Sequence, residues 1–490
     1  MISLYHPKEV RCAEELAMQN GDDSISMINR AAHALFDFIF LKKLDITKVL
    51  ILSGSGNNGA DGLRLAHLLK EIGVHTDVFR IDSDKYTAEN LHYAQFFPYF
   101  TELPDILDSY TLIVDALFGI GFHGTPSTEI LEMISHVNRS NAVVLSVDIP
   151  SGVSSLDGKC VSAIKADYTC AMNCAKPGHY LYPGAEYCGE ITVLNCDIPL
   201  PQTVSASILT SNDLPDILPK RPKRSNKGTF GRIMIIAGCK GMAGAAYFSA
   251  KAALLCGCGL VEIVCPEDNR TILQTLLPEA ILTVYENELD FDCILSRISY
   301  CNALVLGPGL GQSPSARILC NRILTEASVP AVVDADGLNL CANTPLLANY
   351  RGPLVITPHP GEAARLTNKS IADILSDPLS TAKSLSNEQD CTVLLKDAHT
   401  IISTGEITNI NVSGNDGMAT AGSGDLLSGI IASLLSIELS PHYAASCAAL
   451  IHGLAGDVCA KKHGTRSVTA SRIAECIEEV FKQAESDQRS

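Results

Sequence analysis

The most constraining feature of this sequence is a recurring order of apolar run, glycine-rich turn and amphipathic segment, which appears in two series along 490 residues. In the first series, β-like runs at 48–52, 111–115 and 142–148 are followed by glycine, proline or serine, and 63–72 has helical apolar spacing. Strands that alternate with helices pair in parallel, because each helix returns the chain to the same end of the sheet. The pattern therefore predicts an α/β protein with parallel sheets.

A second series begins at Gly231 and contains the runs RIMIIAG, LVEIVCP, ALVLGPG, PAVVDADG, LVITPHPGE and CTVLLKD, before an apolar helix at Leu426–Leu435. Between the two series, 197–224 is rich in proline and weakly periodic. It leads into the basic stretch KRPKRSNK at 220–227, which we interpret as a solvated linker, although a position near a phosphate stays open. We predict two tandem three-layer α/β/α domains, at 1–210 and 225–485.

Charge and cysteine usage narrow the class of protein. The 37 basic and 54 acidic residues give a net charge of −17, which disfavours nucleic-acid or anionic-membrane partners. The 18 cysteines scatter singly, and close pairs such as Cys170 and Cys174 lack the second pair of a zinc site, so we expect reduced core residues. The amino terminus lacks a secretory signal, and the longest apolar run, Leu426–Ile437, is too short to cross a bilayer. We expect a cytoplasmic protein with no membrane partner.

The segment Gly54–Gly62 follows a predicted strand and opens a predicted helix, a position where backbone amides bind phosphate. Its glycines satisfy GxGxxG, which alone is weak evidence for a dinucleotide, and an asparagine-rich turn with local caps is the alternative. Polar residues also follow the neighbouring strands, and the carboxyl ends of parallel strands share one edge of a sheet. The residues predicted to meet at this edge are Asn57, Asn58, Asp115, Asp148 and Ser151.

The chemistry of this predicted edge follows from its oxygen atoms. Side-chain oxygens of Asn58, Asp115 and Ser151 suit a hard cation, and the Asp148 carboxylate could transfer a proton. Taken singly, Asp148 could be only a turn residue and Ser151 only a helix cap. Their joint placement predicts a functional site.

Three motifs of this half, SGSGNNGADG, VDALFGIGFHG and SVDIPSG, closely resemble the NAD(P)H-hydrate epimerase domain over about residues 1–210. The resemblance implies a Rossmann-like fold, interconversion of the R and S epimers at C6 of hydrated NADH or NADPH, and a K⁺ ion bound by Asn58, Asp115 and Ser151. Alanine stands at position 60, where the family often has glycine, and is small enough to leave the site open. The implied substrate contacts are Asn57, Asn58, Gly59, Ala60, Asp61, Gly119, Ile120, Gly121, Phe122, His123, Gly124, Thr125 and Asp148.

In the second series, the glycine-rich loop 415–425 precedes the apolar helix, so its amides can form an anion site at the helix amino terminus. Asp425 beside that site is suited to take a proton from a hydroxyl during phosphoryl transfer, while stabilisation of the helix dipole is the alternative. Lys396 could reach a nucleotide phosphate or could be a solvated surface charge. His359, between two prolines, could equally be structural.

The motifs KGTFGRIMIIAG, GMAGAA, GPGLG, TPHPGE and AGSGD closely resemble the ADP- or ATP-dependent NAD(P)H-hydrate dehydratase of the ribokinase-like superfamily, over about 225–480. Serine replaces the threonine that many relatives carry in AGSGD and keeps the hydroxyl. The implied hydrate contacts are Ala246, Gly309, His359 and Asp425. The implied nucleotide contacts are Lys396, Asp397, Ala398, His399, Thr400, Asn415, Asp416, Gly417, Met418, Ala419, Thr420, Ala421, Gly422, Ser423 and Gly424.

Together the two resemblances imply repair of a damaged coenzyme, NAD(P)HX. The first domain would equilibrate the epimers, and the second would use ADP with Mg²⁺ to dehydrate the S epimer to NAD(P)H, with release of AMP and phosphate. A preference for ADP over ATP stays open, although the fused form resembles the bacterial, ADP-using type, and we expect a homo-oligomer. One alternative is a small-metabolite kinase of the ribokinase-like superfamily with an amino-terminal ligand-binding module, and another is a sensor or scaffold that binds without turnover.

Overall fold

The computed structural model describes residues 1–104, 107–286 and 290–488. The chain forms two compact units, Ile2–Ala206 and Ser207–Ser490 together with Met1. The division falls inside the proline-rich stretch between the two series. The basic segment 220–227 is exposed throughout, as expected of a solvated linker.

Several helices of the amino-terminal unit begin after a residue whose side chain caps them. Asp23, Thr87 and Ser127 each accept a hydrogen bond from a backbone N–H of the first turn that follows them. The helices are α1 (Pro7–Gln19), α2 (Ser24–Leu41), α3 (Asn57–Glu71), α4 (Ala88–Ala94) and α5 (Thr128–Val137). The strands are β1 (Ile2–Leu4), β2 (Lys48–Ser53), β3 (His75–Arg80), β4 (Leu112–Ala116), β5 (Val143–Val147), β6 (Tyr168–Met172) and β7 (Glu190–Leu194).

The sheet of this unit has the order β3-β2-β4-β5-β6-β7, and all of its pairs are parallel. The chain runs from β2 to β3 on one side and then returns to place β4 on the other side of β2. The loops after β2 and β4 therefore diverge, and a crevice opens at the carboxyl edge between them. This crevice lies where the predicted residues Asn57, Asn58 and Asp115 stand.

Helices cover both faces of this sheet. Successive residues of β2 point to opposite faces, and both Ile51 and Leu52 are fully buried. Ile51 packs in a cluster with residues of α2, α3 and α4, including Leu35, whereas Leu52 packs with residues of α5, including Ile134. The predicted three-layer α/β/α architecture is confirmed for this unit.

The carboxyl-terminal unit follows the second series. Its strands are β8 (Ala206–Ile208), β9 (Arg232–Ile236), β10 (Leu260–Pro266), β11 (Ile281–Tyr285), β12 (Ala303–Leu306), β13 (Ala331–Val333), β14 (Leu354–Ile356), β15 (Thr392–Leu395), β16 (Thr400–Ser403) and β17 (Thr408–Asn411). Its helices are α6 (Leu214–Ile217), α7 (Ala243–Leu255), α8 (Arg270–Leu276), α9 (Phe291–Ile298), α10 (Pro314–Glu326), α11 (Asp336–Cys341), α12 (Pro360–Thr367), α13 (Ile371–Ser376), α14 (Pro378–Gln389), α15 (Ser423–Ser436), α16 (Pro441–His463) and α17 (Ala470–Asp487).

Within this unit the strand order is β8-β17-β16-β15-β14-β13-β12-β9-β10-β11. The strands from β9 to β15 pair in parallel, whereas β15 with β16 and β16 with β17 are antiparallel. The sequence analysis predicted no strand at β16 or β17, so these two antiparallel pairs were not expected. Only short connections, 396–399 and 404–407, link them, and a parallel pair needs a longer crossover.

The sheet of the carboxyl-terminal unit is also covered on both faces. Ile233 and Ile235 of β9 belong to a large apolar cluster with α7, α15, α16 and α17. Met234 and Ile236, which point the other way, are equally buried. The chain places β10 and β12 on opposite sides of β9, which creates a second crevice at the carboxyl edge.

Two helices begin earlier than the apolar pattern predicts. Helix α3 begins at Asn57, ahead of the predicted Leu63, and α15 begins at Ser423, ahead of Leu426. Their first turns are polar and rich in glycine, so apolar periodicity does not detect them. The motif residues 57–61 and 423–425 are consequently first-turn residues rather than loop residues.

The cysteines are free thiols, and most of them are buried, with Cys12 and Cys293 exposed. The described residues contain no group of three or more His, Cys, Asp or Glu side chains able to hold a metal ion. One described helix, Pro441–His463, is long and apolar enough to cross a membrane, but 72% of its apolar window is buried inside the structure. It packs as a core helix of the carboxyl-terminal unit.

Candidate active sites

The amino-terminal unit contains a cavity of about 740 Å³ at the carboxyl edge of its sheet. The predicted contacts on its wall are Asn57, Asn58, Asp61, Gly119, Ile120, Gly121, Phe122, His123 and Asp148. The remaining predicted contacts, Gly59, Ala60, Gly124 and Thr125, are not among the described wall residues. Ala60 is fully buried in the core, because the early start of α3 turns this position towards the sheet.

Two of the three glycines of the GxGxxG match, Gly54 and Gly59, allow close backbone packing. A Cβ atom at Gly59 would lie 2.1 Å from the carbonyl oxygen of Gly54, so only glycine allows α3 to approach this turn. The side-chain amide of Asn90 donates to the same carbonyl at 2.7 Å, and Arg80 donates to the Asn90 oxygen at 2.7 Å. This buried network holds the turn that precedes Asn57.

Asp115 and Ser151 lie together beneath the cavity, as predicted from their strand-end positions. The Ser151 hydroxyl donates to Asp115 Oδ1 at 2.5 Å, and the Ser151 N–H and the Ser146 hydroxyl both donate to Oδ2 at 2.8 Å. Burial raises the pKa of Asp115, and these hydrogen bonds partly oppose that effect. No described Lys or Arg forms an ion pair with this buried carboxyl group.

Asn58 connects this pair to the cavity wall. Its side-chain nitrogen lies 2.9 Å from the carbonyl oxygen of Phe118 and 3.3 Å from that of Val147. The Phe118 N–H donates in turn to the Ser151 hydroxyl at 2.9 Å. The Phe118 backbone thus links Asn58 to the pair of Ser151 and Asp115.

Asp148 is held firmly in an unusual backbone conformation, with a φ of 68°. Its carboxylate accepts hydrogen bonds from Lys176 Nζ at 2.5 Å and from the Ile120 N–H at 3.0 Å. Burial opposes ionisation, but the charge and hydrogen bond of Lys176 outweigh it and lower the pKa of Asp148. This arrangement suits a fixed anion better than the proton carrier that its strand-end position suggested.

Lys176 and His179 were not found by sequence analysis. Lys176 is 1% exposed, and the attraction of Asp148 overcomes burial and raises its pKa. His179 donates from Nε2 to the Asp148 carbonyl oxygen at 2.7 Å, because its Nδ1 accepts from the Lys176 N–H at 2.9 Å. Burial lowers the pKa of His179 to about 4, so its ring is neutral. The only available signal was the turn sequence KPGH after β6.

Two further carboxyl groups, Glu14 on α1 and Asp61 on α3, line the same cavity. Burial is the main cause that raises the pKa of each, and repulsion by the Asp148 carboxylate adds to it. The cavity therefore combines one anion fixed by Lys176 with two carboxyl groups that retain protons more readily than usual.

In the carboxyl-terminal unit, Asp425 lies in the first turn of α15, beside the N–H groups that a helix leaves unpaired at its amino terminus. Gly422 precedes the helix with a φ of 87°, a conformation that favours glycine. Burial raises the pKa of Asp425 to about 6, and repulsion by Asp334 adds to this effect while Lys396 opposes it. A carboxylate of this pKa is suited to accept a proton near neutral pH.

Lys396 is not the solvated surface charge of the alternative interpretation. Its Nζ lies 2.7 Å from Asp334 Oδ1 and 4.0 Å from Glu362 Oε2, and its side chain is 22% exposed. The Ser428 hydroxyl donates to Asp334 Oδ2 at 2.7 Å, which joins this network to α15. Sequence analysis did not single out Asp334, because its motif DADG resembles the ordinary turn sequences that follow many strands.

The predicted hydrate contacts of this unit differ in their surroundings. His359 caps α12 by accepting the Gly361 N–H at 3.0 Å, and its side chain is half exposed. Gly309 accepts the Cys239 N–H at 2.6 Å, which joins the loops after β9 and β12. Ala246 lies on α7 and is fully buried in the core, so its side chain is not available to a ligand in this conformation.

The loop 414–422 is braced from beneath by α16. The Asp457 carboxylate accepts the Gly414 N–H and the Asn415 side-chain amide, each at 3.0 Å. Asn415 also caps a short 3-10 turn, Asp416–Met418. These contacts hold the glycine-rich segment in one shape ahead of α15.

Ser423 lies at the start of α15 and contacts a buried histidine. Its hydroxyl is 3.1 Å from His452 Nε2, and burial lowers the pKa of His452 to about 4. The Ser423 hydroxyl, at the position where many relatives carry threonine, is thus held in place by the neutral ring of His452.

Comparison with known protein families matches both halves. Residues 24–178 match the family described as YjeF-related protein N-terminus, and residues 233–479 match the family described as NAD(P)H-hydrate dehydratase. The first matched segment includes Asp115 and the cavity residues Asp61 and Asp148. The second includes Asp425 of α15.

Full-length relatives carry the same pair of domains in one chain. The bifunctional NAD(P)H-hydrate repair enzyme Nnr of Moorella thermoacetica is 36% identical over 472 residues, which cover 90% of this chain and 88% of the relative. The enzyme of the same name from Escherichia coli is 34% identical and covers 98% of this chain and 94% of the relative.

Solved structures match the carboxyl-terminal unit. The ADP/ATP-dependent NAD(P)H-hydrate dehydratase of Bacillus subtilis, co-crystallised with ATP and Mg²⁺, is 26% identical with a TM-score of 0.50, and the match covers 57% of this chain and 99% of that one. A ribokinase-like superfamily protein of Enterococcus faecalis is 25% identical with a TM-score of 0.51, over 58% of this chain and 99% of that one.

The folds and the two sheet-edge sites define a two-domain α/β enzyme with an amino-terminal Rossmann-like domain and a carboxyl-terminal ribokinase-like domain. The chain belongs to the family of bifunctional NAD(P)H-hydrate repair enzymes.

Proposed function

We propose that this protein repairs hydrated NADH and NADPH in two steps. The amino-terminal unit interconverts the R and S epimers of NAD(P)HX, and the carboxyl-terminal unit dehydrates the S epimer to NAD(P)H at the expense of ADP. The observation that carries the proposal is Asp425, a carboxyl group with a pKa of about 6 in the first turn of a glycine-preceded helix, within a chain of this family. A small molecule is its substrate, and cytoplasmic location and homo-oligomerisation remain predictions.

In the dehydratase site, Asp425 takes the proton of the C6 hydroxyl as its oxygen attacks the terminal phosphorus of Mg²⁺-bound ADP. The phosphorus–oxygen bond to AMP breaks, and the backbone N–H groups at the start of α15 stabilise the charge on the transferred group. Phosphate then leaves C6, a proton leaves C5, and the C5–C6 double bond of NAD(P)H is restored. Lys396 keeps Asp334 ionised, and Asp334 in turn keeps Asp425 able to accept a proton.

The nucleotide contacts proposed for this unit lie on two segments, 396–400 and 415–424. Lys396 is paired with Asp334, and a Cβ atom at Gly424 would lie 3.6 Å from its Nζ, so this nitrogen lies close to the first turn of α15. The braced loop ahead of α15 presents backbone N–H groups that suit phosphate oxygens. The Bacillus subtilis dehydratase structure, co-crystallised with ATP and Mg²⁺, supports a nucleotide and Mg²⁺ as ligands of this unit.

The donor set of Asn58, Asp115 and Ser151 fits a K⁺ ion. The buried Asp115 carboxyl group has no ion-pair partner among the described residues and is linked through Ser151 to Phe118, whose carbonyl oxygen contacts the Asn58 side chain together with that of Val147. A half-turn of the Asn58 amide brings its oxygen to the point where its nitrogen now lies, so that only oxygen atoms face that point. When bound, the cation would neutralise Asp115 and stabilise the loops around the cavity.

The K⁺ assignment is tested with Asp115→Ala. Epimerisation by the natural protein should increase with K⁺ concentration, and the variant should lose both epimerisation and its response to K⁺. The exposed Asp108→Ala is the matched control and should behave as the natural protein does. An unchanged K⁺ response in Asp115→Ala would remove this residue from the ligand set.

The overall function is tested by supplying purified protein with both epimers and either ADP or ATP, and by following reduced-nicotinamide absorbance. Recovery of absorbance should require nucleotide and hydrated coenzyme together. Asp425→Asn should nearly abolish this recovery and leave epimerisation intact, because the two sites belong to different units. Consumption of nucleotide with a sugar or a pyrimidine alcohol, and not with the hydrate, would support a metabolite kinase instead.

A further inference from the structure

The cavity of the amino-terminal unit contains two carboxyl groups that have no chemical role so far, Glu14 on α1 and Asp61 on α3. The buried ammonium group in its wall, Lys176, is already paired with Asp148 at 2.5 Å. No described residue donates a hydrogen bond to the Asp61 carboxyl group, and neither Glu14 nor Asp61 has a salt bridge within the described part of the chain. Both groups therefore face the cavity without a direct partner.

The charges around Glu14 are of both signs, whereas those around Asp61 are negative. Those that act on Glu14 are Arg11 and Glu15 on its own helix, and Asp148, Lys176 and Cys174 from the elements packed against it. The titratable groups near Asp61 are Glu14, Asp148, Tyr93 and Cys196. His123 is a further titratable residue of the cavity wall.

Like charges that share a cavity do not both ionise readily, and such a pair titrates as a unit. Burial raises the pKa of Glu14 and of Asp61, Asp148 raises both further, and Glu14 raises that of Asp61. The pair consequently has a pH range in which one member is protonated and the other is ionised, while Asp148 stays ionised beside Lys176.

Inversion at C6 of the hydrate needs two proton transfers. The departing hydroxyl must gain a proton, and the water that enters must lose one. When water enters on the face opposite the departing hydroxyl, one group cannot serve both faces. A carboxylic acid and a carboxylate on two different helices meet this requirement.

We propose that Asp61 and Glu14 are the acid–base pair of the epimerase site, an inference that rests on the proposed function. The protonated member gives its proton to the C6 hydroxyl, the C6–O bond breaks, and water leaves with the bonding pair while the N1 lone pair forms an N1–C6 double bond. Water then adds to C6 from the other face, the π electrons return to N1, and the ionised member takes the proton. The reverse reaction uses the same groups with exchanged roles.

The test uses the full-length protein, the pure R epimer and no nucleotide, with chromatographic measurement of the S epimer. Asp61→Asn and Glu14→Gln should each lower kcat by about 10²- to 10⁴-fold with KM changed by less than about threefold. The natural protein should show a kcat that falls at both low and high pH, and each variant should lose one of these two limbs. Asp61→Glu should restore part of the rate, since it keeps the titrating group.

The control is Glu71→Gln, at the exposed end of α3, which should keep the natural rate and both limbs. A natural kcat and pH profile in Asp61→Asn or Glu14→Gln would overturn the proposal, and so would a change in KM alone. If Asp61→Asn shows no cooperative unfolding transition, it is not folded, and the rates and pH profiles of Asp61→Glu and Glu14→Gln then test the proposal. Absence of epimerisation by the natural protein would instead contradict the proposed function.

Discussion

Asp148 and Asp425 are both buried aspartates near a lysine, yet their pKa values shift in opposite directions. Lys176 contacts Asp148 directly at 2.5 Å, and this contact outweighs the cost of burial. Lys396 instead contacts Asp334, so burial, with added repulsion from the Asp334 carboxylate, raises the pKa of Asp425 to about 6. The first environment suits a fixed anion and the second a general base.

The pKa of Asp425 predicts the pH dependence of dehydration. Because Asp425 must be ionised to accept a proton, kcat should rise as pH increases through about 6. Asp334→Asn removes the repulsion and frees Lys396 to attract Asp425, so the rise should move to lower pH. Measurement of kcat against pH, by recovery of reduced-nicotinamide absorbance, checks both expectations. An unmoved profile in Asp334→Asn would contradict the assignment, and the exposed Glu475→Gln is the control.

The buried pair of Lys176 and Asp148 predicts a stability effect. Lys176→Met leaves a buried carboxylate unpaired and should lower the free energy of unfolding by about 3–5 kcal/mol, measured by urea denaturation at neutral pH. The equivalent change in the exposed pair of Lys159 and Asp157 should cost about 0–1 kcal/mol.

The same pair predicts how this difference depends on pH. The folded-state pKa of Asp148 is lowered, so the contribution of the pair is complete above the unfolded-state pKa and is lost as pH falls through the folded-state value. The difference between the natural protein and Lys176→Met should therefore shrink in acid. A difference that grows in acid would contradict the ion-pair explanation.

The position of a residue at the end of a strand or the start of a helix predicted some of the site residues but not others. Asp115, Asp148 and Asp425 stood out because each follows an apolar run or precedes an apolar helix. Lys176 stands in an ordinary turn, and only the fold brings it to Asp148. Contacts between residues distant in sequence depend on tertiary packing, which no local pattern encodes.

At the scale of elements, the contact between α7 and α15 positions Asp425. Gly429 of α15 faces α7, and a Cβ atom there would lie 2.0 Å from the Ser249 carbonyl oxygen. The Ser249 hydroxyl donates to the Asp425 carbonyl oxygen at 3.0 Å across the same contact. The close approach of these two helices therefore sets where the first turn of α15 lies.

Two glycine substitutions test this contact. Gly429→Ala should force the helices apart and lower the free energy of unfolding by about 1–3 kcal/mol, with a loss of dehydration. Gly244→Ala, on α7, is the matched control, because a Cβ atom there meets nothing within 4 Å. This substitution should raise the free energy of unfolding by at most about 1 kcal/mol. Chemical denaturation of both variants measures the difference, and equal effects would contradict the packing argument.

Apolar patterns predicted β2, β4, β5, β9, β10 and β12–β15, but not the other strands or the starts of all the helices. The polar first turns of α3 and α15 escaped detection, because an apolar stripe begins only where side chains face the core. The antiparallel strands β16 and β17 escaped detection as well, since alternation in a short strand does not encode its direction.

At the scale of the whole molecule, two units each carry a site at the carboxyl edge of their own sheet. Asp115 and Asp148 belong to the first unit and Asp425 to the second. The conversion of the R epimer to NAD(P)H therefore requires both units in sequence, whereas the S epimer requires only the second.

The most direct test supplies the pure R epimer with ADP to the natural protein and to Asp425→Asn, and follows both epimers and the reduced-nicotinamide absorbance. The natural protein should convert all of the R epimer to NAD(P)H. Asp425→Asn should produce the S epimer at the natural rate and recover almost no absorbance. Recovery of absorbance by Asp425→Asn, or an R epimer left unchanged by the natural protein, would contradict the two-site account.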